Sequence, residues 1–413
     1  MEYGLLGKKL GHSYSKEIHE SIADYKYELR ELTEDELGLF LREKDFKAVN
    51  VTIPYKESVI PYLDEISEKA KEIGAVNTIV DRGGKLFGDN TDFDGMRALI
   101  RHAGISLDNK KVLIAGTGGT SKTASAAAKS LGAKEVLKIS RSPKDSSAVS
   151  YEDAYEKHSD ADIIINTTPC GMYPDIDAVP FDVSRFDCLS GVIDAVYNPL
   201  RSQLVLDAQK RGIRAEGGLF MLAAQAVYAC ENFLGELPGD ADELSRKAFE
   251  RVRLSKENIV LCGMPSCGKS TVGTELAARL NRRFVDMDDV IVSRIGMSIA
   301  DFFEKKGEAA FRDIESDVAE DLSKETGLVI ATGGGAILRE ANVDALKKNG
   351  KLFFIDRSPE KLIVTDDRPL SSDIDKLKKR YSERYDIYCS VADVHIDGNG
   401  SIDDVVKEIQ GKR

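Results

Sequence analysis

The stretch GMPSCGKS, from Gly263 to Ser270, has the spacing G-x-x-x-x-G-K-[ST] that holds a nucleoside triphosphate. Its glycines, Gly263 and Gly268, let backbone N–H groups surround phosphates. Lys269 meets the β/γ charge, the Ser270 hydroxyl is an oxygen ligand for Mg²⁺, and Thr271 completes the ATP-binding set. A second glycine turn, GTGGT, stands upstream, where Gly116, Gly118 and Gly119 permit a pyrophosphate to approach a helix N-terminus closely. Ser121 occupies the place of the third glycine of a dinucleotide fingerprint. The next apolar run, EVLKIS, is followed by Arg141 where an acid usually takes a ribose 2′-hydroxyl. Arginine there suits the 2′-phosphate of NADP, and Lys144 adds charge; the alternative is a solvated basic turn beside a structural glycine loop.

Other residues carry chemistry only as sets. Asp286 and Asp288 alternate at the end of a short apolar run, which predicts both on one side of a strand about 7 Å apart, one near Mg²⁺ and one on a substrate hydroxyl. Arg312 and Glu315 are spaced to pair on one helix face, and TGGG supplies Gly333, Gly334 and Gly335. Each alone reads equally as a solvated acidic turn or a surface ion pair. Upstream stand Ser13 and Ser15, Thr52 and Lys56, Asn77, and Asn90 and Asp92. Singly, the serines read as helix caps, Lys56 as a solvated lysine and Asp92 as the N-cap of the helix FDGMRALIRHA.

These residues must be positioned by strands and helices, and the sequence supplies both in alternation. Short apolar, β-rich runs fall at 48–53, 111–116, 135–140, 162–167, 191–196, 258–263, 328–333 and 351–356, separated by helix-period segments. That is the pattern of α/β architecture on parallel sheets. Val272, Leu276 and Leu280 repeat at helical spacing directly after the phosphate loop, so strand, loop and helix follow in order. The main boundary is placed near Ser255, in LSKEN, read as a linker after a terminal helix, and a lesser one at Asn90 to Gly95.

The 413 residues suffice for several cores, and a net charge of −12 argues against a nucleic-acid surface. Six cysteines contain no C-x-x-C pair, so neither zinc nor a disulfide framework is indicated, and inert packing is preferred to redox sensing for Cys267. The most apolar stretch, from Leu219, is too short to span a bilayer. A cytoplasmic enzyme of small-molecule substrates, with neither nucleic acid nor membrane as partner, is the expectation; oligomeric state is not readable.

With DDRPL and ERYDIY added, the second half from about Glu257 resembles shikimate kinase. The resemblance implies that Asp286 helps hold Mg²⁺ and Asp288 contacts shikimate hydroxyls. It implies too that Arg312 and Arg384 bind the substrate carboxylate, Gly333 to Gly335 line the substrate pocket, and Arg368 reaches the transferring phosphoryl group from a lid. The sequence departs from that family at Ser266, usually glycine, and at Val364, near which an arginine usually packs on adenine; the lid is shortened and carries Asp366 and Asp367.

Residues 1 to about 250 resemble shikimate dehydrogenase, adding NTTPCGM, DAVYNPLRSQL with Asp194, and EGGLFMLAAQA to the upstream set. The implied roles are Ser13 and Ser15 on the substrate carboxylate, Lys56 and Asp92 as the catalytic pair, and Thr52, Asn77 and Gln225 on substrate hydroxyls. Tyr197 would lie near the ring, and Thr167, Gly218 and Met221 would belong to the NADP site; Lys16 stands where the family commonly has proline. The pair makes chemical sense, because ketone reduction needs a proton donor at oxygen and an ordinary lysine is an ammonium near neutral pH. The implied architecture is a substrate lobe (about 1–94 plus helices at about 219–250) and a Rossmann NADP lobe (about 95–218) within 1–254. A P-loop domain resembling nucleoside-monophosphate kinases fills 255–413. The expected activity is NADPH-dependent reduction of 3-dehydroshikimate to shikimate, then ATP·Mg²⁺-dependent phosphorylation of shikimate. A kinase-like domain acting only as a binding module, and a first half that also oxidises quinate, are the alternatives.

Overall fold

The computed structural model describes residues 1–11, 13–143, 147–362 and 374–413. It divides into two compact units, Met1–Arg253 and Leu254–Arg413. Among the described residues, the first holds two sheets. One is built from β1 (Tyr3–Gly7), β2 (Tyr27–Glu31), β3 (Ala48–Val51), β4 (Glu65–Ile66), β5 (Thr78–Arg82) and β6 (Lys85–Asp89), in the order β2-β1-β3-β5-β6-β4. Its helices are α1 (Ser15–Ile22), α2 (Glu34–Glu43) and α3 (Glu68–Ile73), and α4 (Asp92–His102) leaves it after β6. Strands β1, β2 and β3 are parallel, whereas β5 runs antiparallel to both β3 and β6. The ends of β1, β3 and β6 and the start of β5 therefore share one edge, where Ser13, Thr52, Lys56, Asn77 and Asp92 leave the sheet.

The second sheet is parallel throughout, in the order β12-β11-β10-β7-β8-β9. It comprises β7 (Lys111–Ala115), β8 (Glu135–Ile139), β9 (Ala148–Val149), β10 (Ile163–Asn166), β11 (Gly191–Asp194) and β12 (Arg214–Glu216), with α5 (Gly119–Ser130), α6 (Tyr151–Lys157) and α7 (Gln203–Lys210). Every residue of β10 and β11 is buried, as expected of parallel strands covered on both faces. Strand β7 lies between β8 and β10, so the order reverses at its end, the place where open α/β sheets bind ligands. Gly116, Gly118 and Gly119 sit there.

Helix α8 (Leu219–Leu234) is apolar on most faces and buries eleven residues, among them Met221 and Gln225. A Cβ on Gly95 of α4 would lie 2.8 Å from Met221 O and 2.9 Å from the Gln225 Cβ. Gly95→Val is expected to cost about 1–3 kcal/mol by overpacking. A fall in the thermal midpoint of the first unit, with the second unit's unchanged, checks it.

The boundary segment differs from its reading as a linker. Helix α9 (Ala241–Lys256) buries Phe249 and Val252 and continues through Leu254 to Lys256, and Asn258 already begins the next strand. LSKEN contains neither glycine nor proline to stop a helix, so only Glu257 lies between the two elements.

The second unit has a parallel sheet in the order β14-β15-β13-β16-β17. Its strands are β13 (Asn258–Cys262), β14 (Phe284–Asp286), β15 (Val329–Ala331), β16 (Gly350–Asp356) and β17 (Val394–Asp397). Its helices are α10 (Lys269–Leu280), α11 (Met287–Ile295), α12 (Ile299–Ser323), α13 (Glu340–Asn349), α14 (Ile374–Val391) and α15 (Ile402–Gly411). The first strand, β13, is again central and delivers the phosphate loop at its carboxyl end. Among the described residues, no helix is long and apolar enough to cross a membrane.

Candidate active sites

In the first unit Lys56 Nζ donates to Asp92 Oδ2 at 2.5 Å, with side-chain exposures of 15% and 9%. This contact is a part-buried ion pair, not the two solvated groups that a reading of single residues favours. Asp92 is the first residue of α4 rather than its N-cap, a position held by Thr91, so its carboxylate is left for Lys56. Behind the pair Asn77 acts as a bracket. Its Oδ1 accepts from Thr91 N at 2.8 Å, and its Nδ2 donates to Thr91 Oγ1 at 3.2 Å and to Gln225 Oε1 at 3.5 Å. Asn90 Nδ2 donates to Ala75 O at 2.8 Å and fixes the start of the same turn.

The serines are not caps either, for α1 has Tyr14 at its N-cap and no side-chain cap bond. Ser13 Oγ instead donates to Ser15 Oγ at 3.1 Å and accepts from Ser15 N at 3.2 Å, which holds both hydroxyls in one turn. The Tyr14 ring lies 5.4 Å from that of Tyr197, joining the serine turn to the loop after β11. Burial raises the Tyr197 phenol, and burial together with the Tyr197 and Glu17 charges pushes Tyr14 up to about 12. Both therefore act as neutral donors. Tyr14 is a residue that the motifs do not single out. Thr52 follows β3, its N–H donating to Leu6 O at 2.9 Å.

The glycine turn faces this cluster, since a Cβ on Gly119 would lie 4.0 Å from Lys56 Cδ and 3.8 Å from the Ala75 Cβ. Gly116, at φ +108°, would bring a Cβ within 2.8 Å of Thr167 Oγ1, while Thr167 donates to Ala115 O at 2.5 Å. Gly118 is the N-cap of α5. Gly116 N donates to Ile139 O at 2.9 Å, which sets the end of β8, and hence exposed Arg141, beside the turn. Gly218 precedes α8 with no room for a side chain against Ala195 O, and Met221 follows one turn on. Lys144 lies outside the described residues. The cradle fits a dinucleotide: glycines where a Cβ would fill the space, a helix N-terminus, and an arginine for a 2′-phosphate.

Asp194 ties these loops together. It is fully buried and accepts from Ser202 Oγ at 2.5 Å, Asn166 Nδ2 at 2.9 Å and Val196 N at 2.9 Å. Asn166 Oδ1 in turn accepts from Thr168 N and Oγ1. Burial raises the Asp194 carboxyl to about 7 against these three bonds. A carboxyl raised in the folded state favours folding at low pH, and the gain is lost as pH rises from its unfolded value to about 7. Relative to Asp194→Asn, the parent is expected to lose stability between about pH 4 and pH 7, by up to about 1.4 kcal/mol per pH unit, and to run level above. Denaturant midpoints across that range check it.

In the second unit Lys269 Nζ donates to Gly263 O at 2.9 Å and Met264 O at 3.0 Å, and only 6% of the residue is exposed. Gly263 and Gly268 take φ of +145° and +99°, while Ser266 stands at +64°, where the family's glycine carries no Cβ strain. Ser270 Oγ donates to Asp286 Oδ2 at 2.5 Å, with Thr271 next on α10. Hydroxyl and carboxylate oxygens converging at a phosphate loop suit Mg²⁺.

The expected strand geometry of the two acids needs correction. Strand β14 stops at Asp286, which caps α11 by accepting from Asp288 N at 3.0 Å, so Asp288 stands in the first helical turn. An aspartate before a helix-forming run is itself a stop signal for the strand. Asp288 still reaches the glycine segment, for a Cβ on Gly333 would lie 2.9 Å from both Asp288 Oδ1 and Glu315 Oε1.

Arg312 pairs with Glu315 at 2.8 Å and Glu308 at 3.1 Å, and its guanidinium leaves no space for a side chain at Gly335. Burial alone would lower Arg312, but the Glu315 and Glu308 charges outweigh it and raise it. Burial pushes the Glu315 carboxyl up while Arg312 pulls it down. Arg384 Nη1 donates to Gly334 O at 3.1 Å, as does Tyr388 Oη at 2.5 Å. Asp288, Arg312, Arg384 and Gly333–Gly335 thus gather at one place. Arg368, Val364, Asp366 and Asp367 lie outside the described residues. A cavity of about 610 Å³ runs from Lys269, Ser270 and Asp286 past Thr332 to Arg357 and Ser401.

The two folds and sites define a dinucleotide-linked oxidoreductase followed by a P-loop phosphotransferase. Residues 5–79 match the model of the shikimate dehydrogenase substrate binding domain, and residues 265–412 match that of shikimate kinase. The NADP(+)-dependent shikimate dehydrogenase of Clostridium beijerinckii is 37% identical over 243 residues, covering 55% of this chain and 90% of that protein. Shikimate dehydrogenase 1 of Peptoclostridium difficile superposes with a TM-score of 0.56 at 32% identity, over 61% of this chain and 98% of that one. The shikimate 5-dehydrogenase of Thermus thermophilus, solved with NADP(H) and shikimate, gives 0.54 at 30% identity, over 60% and 99%. The chain belongs to the shikimate dehydrogenase family and carries a shikimate kinase domain after it, which makes it a bifunctional shikimate-pathway enzyme.

Proposed function

We propose that the first unit works in the reducing direction, converting 3-dehydroshikimate to shikimate, and that the second places a phosphoryl group on the product. NADPH supplies the hydride to the ketone carbon. Lys56 Nζ gives a proton to the ketone oxygen as it becomes a hydroxyl, and Asp92 orients the ammonium and stabilises its charge before transfer. Ser13 and Ser15 take the substrate carboxylate, with Tyr197 beside it, and Thr52, Asn77 and Gln225 take ring hydroxyls. Gly116, Gly118, Gly119, Arg141, Lys144, Thr167, Gly218 and Met221 hold the cofactor. The observation that carries this reading is the 2.5 Å Lys56–Asp92 contact placed against the glycine turn.

In the second unit ATP supplies the phosphoryl group. Lys269 and Arg368 stabilise its charge, Gly263, Gly268, Ser270 and Thr271 hold the phosphates, and Ser270 with Asp286 holds Mg²⁺. Asp288 accepts from the attacking hydroxyl, Arg312 and Arg384 bind the carboxylate, and Gly333 to Gly335 line the pocket. Arginine presents a planar fork matched to carboxylate, which suits that division of labour. The small-molecule substrates and the six free thiols support a cytoplasmic location.

A coupled assay tests the whole. The protein is given 3-dehydroshikimate and NADPH, then ATP·Mg²⁺, and both NADPH oxidation and shikimate 3-phosphate are followed. Both signals are expected. NADPH oxidation that stops at shikimate with ATP in excess would leave the second unit as a binding module.

A further inference from the structure

In β16 Phe354 lies level with Cys262 of β13 in parallel register, so the chain leaving β16 emerges beside the phosphate loop. The first residue out is Arg357. It lines the cavity of Lys269, Ser270 and Asp286, and its Nη1 stands 3.7 Å from where a Cβ of Gly268 would be. Both flanking residues are committed. Asp356 accepts from Tyr381 Oη at 2.9 Å and Tyr385 Oη at 3.2 Å, and its carbonyl accepts from Gly398 N at 2.7 Å. Ser358 donates to Asn399 Oδ1 from N at 3.1 Å and from Oγ at 2.8 Å.

Arg357 itself differs. Its Nε is shut off from solvent without a hydrogen-bond partner, and among the described residues no carboxylate or carbonyl pairs with its guanidinium. Nε is enclosed and out of a ligand's reach, so it is Nη1, beside Gly268, that this pinned corner offers to an anionic partner at the phosphate-loop cavity. Guanidinium geometry matches phosphate oxygens in a fork, with more strength than a neutral donor.

We propose that Arg357 is a nucleotide-binding residue of the kinase unit, its guanidinium taking polyphosphate charge of ATP beside Gly268. This rests on the reading of that cavity as the ATP site. It gives the unit an arginine contact to nucleotide from the end of β16, in a chain that has Val364 where a base-packing arginine is expected.

The test is calorimetric titration of the full chain, kept saturated with NADP⁺ to occupy the first unit, with ATP·Mg²⁺ and separately with inorganic tripolyphosphate. Arg357→Gln is expected to weaken both about tenfold, Arg357→Lys to recover part of the loss, and KM for ATP to rise more than KM for shikimate. Unchanged tripolyphosphate affinity in Arg357→Gln overturns the proposal, including the case where ATP alone weakens, which would move the contact to base or ribose. Arg357→Lys guards against misfolding, since a merely structural loss would not track the charge. If the parent binds ATP yet never phosphorylates shikimate, the kinase function falls while the binding comparison still decides Arg357.

Discussion

Lys56→Ala is expected to lower kcat of the dehydrogenase about 10²–10⁴-fold, the usual cost of removing a positioned proton donor, while phosphorylation of added shikimate continues unchanged. The size follows from placement. Lys56 and Asp92 are each mostly enclosed and 2.5 Å apart, so the ammonium is held in one direction by a neighbour that cannot itself protonate a ketone. Asp92→Asn keeps the shape and removes the charge, and is expected to cost less than the lysine change because Lys56 remains to deliver the proton. KM for NADPH should move little in either variant, since the glycine turn is intact. Steady-state rates with 3-dehydroshikimate and NADPH check both. A lysine variant within a few-fold of the parent would remove Lys56 from the chemistry.

Much of this arrangement is legible in the sequence, and the reasons for the remainder are physical. The eight apolar runs all correspond to strands; seven are mostly buried and so continuous in their hydrophobicity, while the half-buried β8 is marked by Val136, Leu137 and Ile139. Strand β2, YELRE, is not among them because most of it is half-buried or exposed, so no apolar run marks it. The β5–β6 hairpin does leave a signal, Gly83-Gly84 with φ of +67° and +89° between alternating residues, a two-glycine turn that lies outside the chemical motifs. The hub at Asp194 has no local signature. It meets Asn166 only because β10 and β11 are neighbours, with Asn166 opposite Asp194 in register, and strand order is not written in either segment. Asp288 shows the converse error. Its alternation with Asp286 fits a strand on paper, but a cap at Asp286 ends the strand too soon for that geometry.

Lys269→Met is expected to give the second large effect, a fall of about 10²–10³-fold in shikimate phosphorylation with NADPH oxidation intact. Here the structure adds a detail the motif does not contain. Nζ donates to Gly263 O and Met264 O, the carbonyls of the loop's own beginning, so the ammonium ties the cradle shut as well as carrying charge. Losing it therefore removes a fixed positive charge from the phosphate site and two bonds that brace Gly263, whose φ of +145° no other residue type adopts readily. Both KM for ATP and kcat should worsen, and the second unit should melt earlier. Lys269→Arg separates the two causes: it keeps the charge, but its broader guanidinium does not fit a side chain that is 6% exposed and flanked by Cys267. Activity well below the parent in Lys269→Arg would assign the larger share to the shape of the loop, and near-complete recovery would assign it to charge alone.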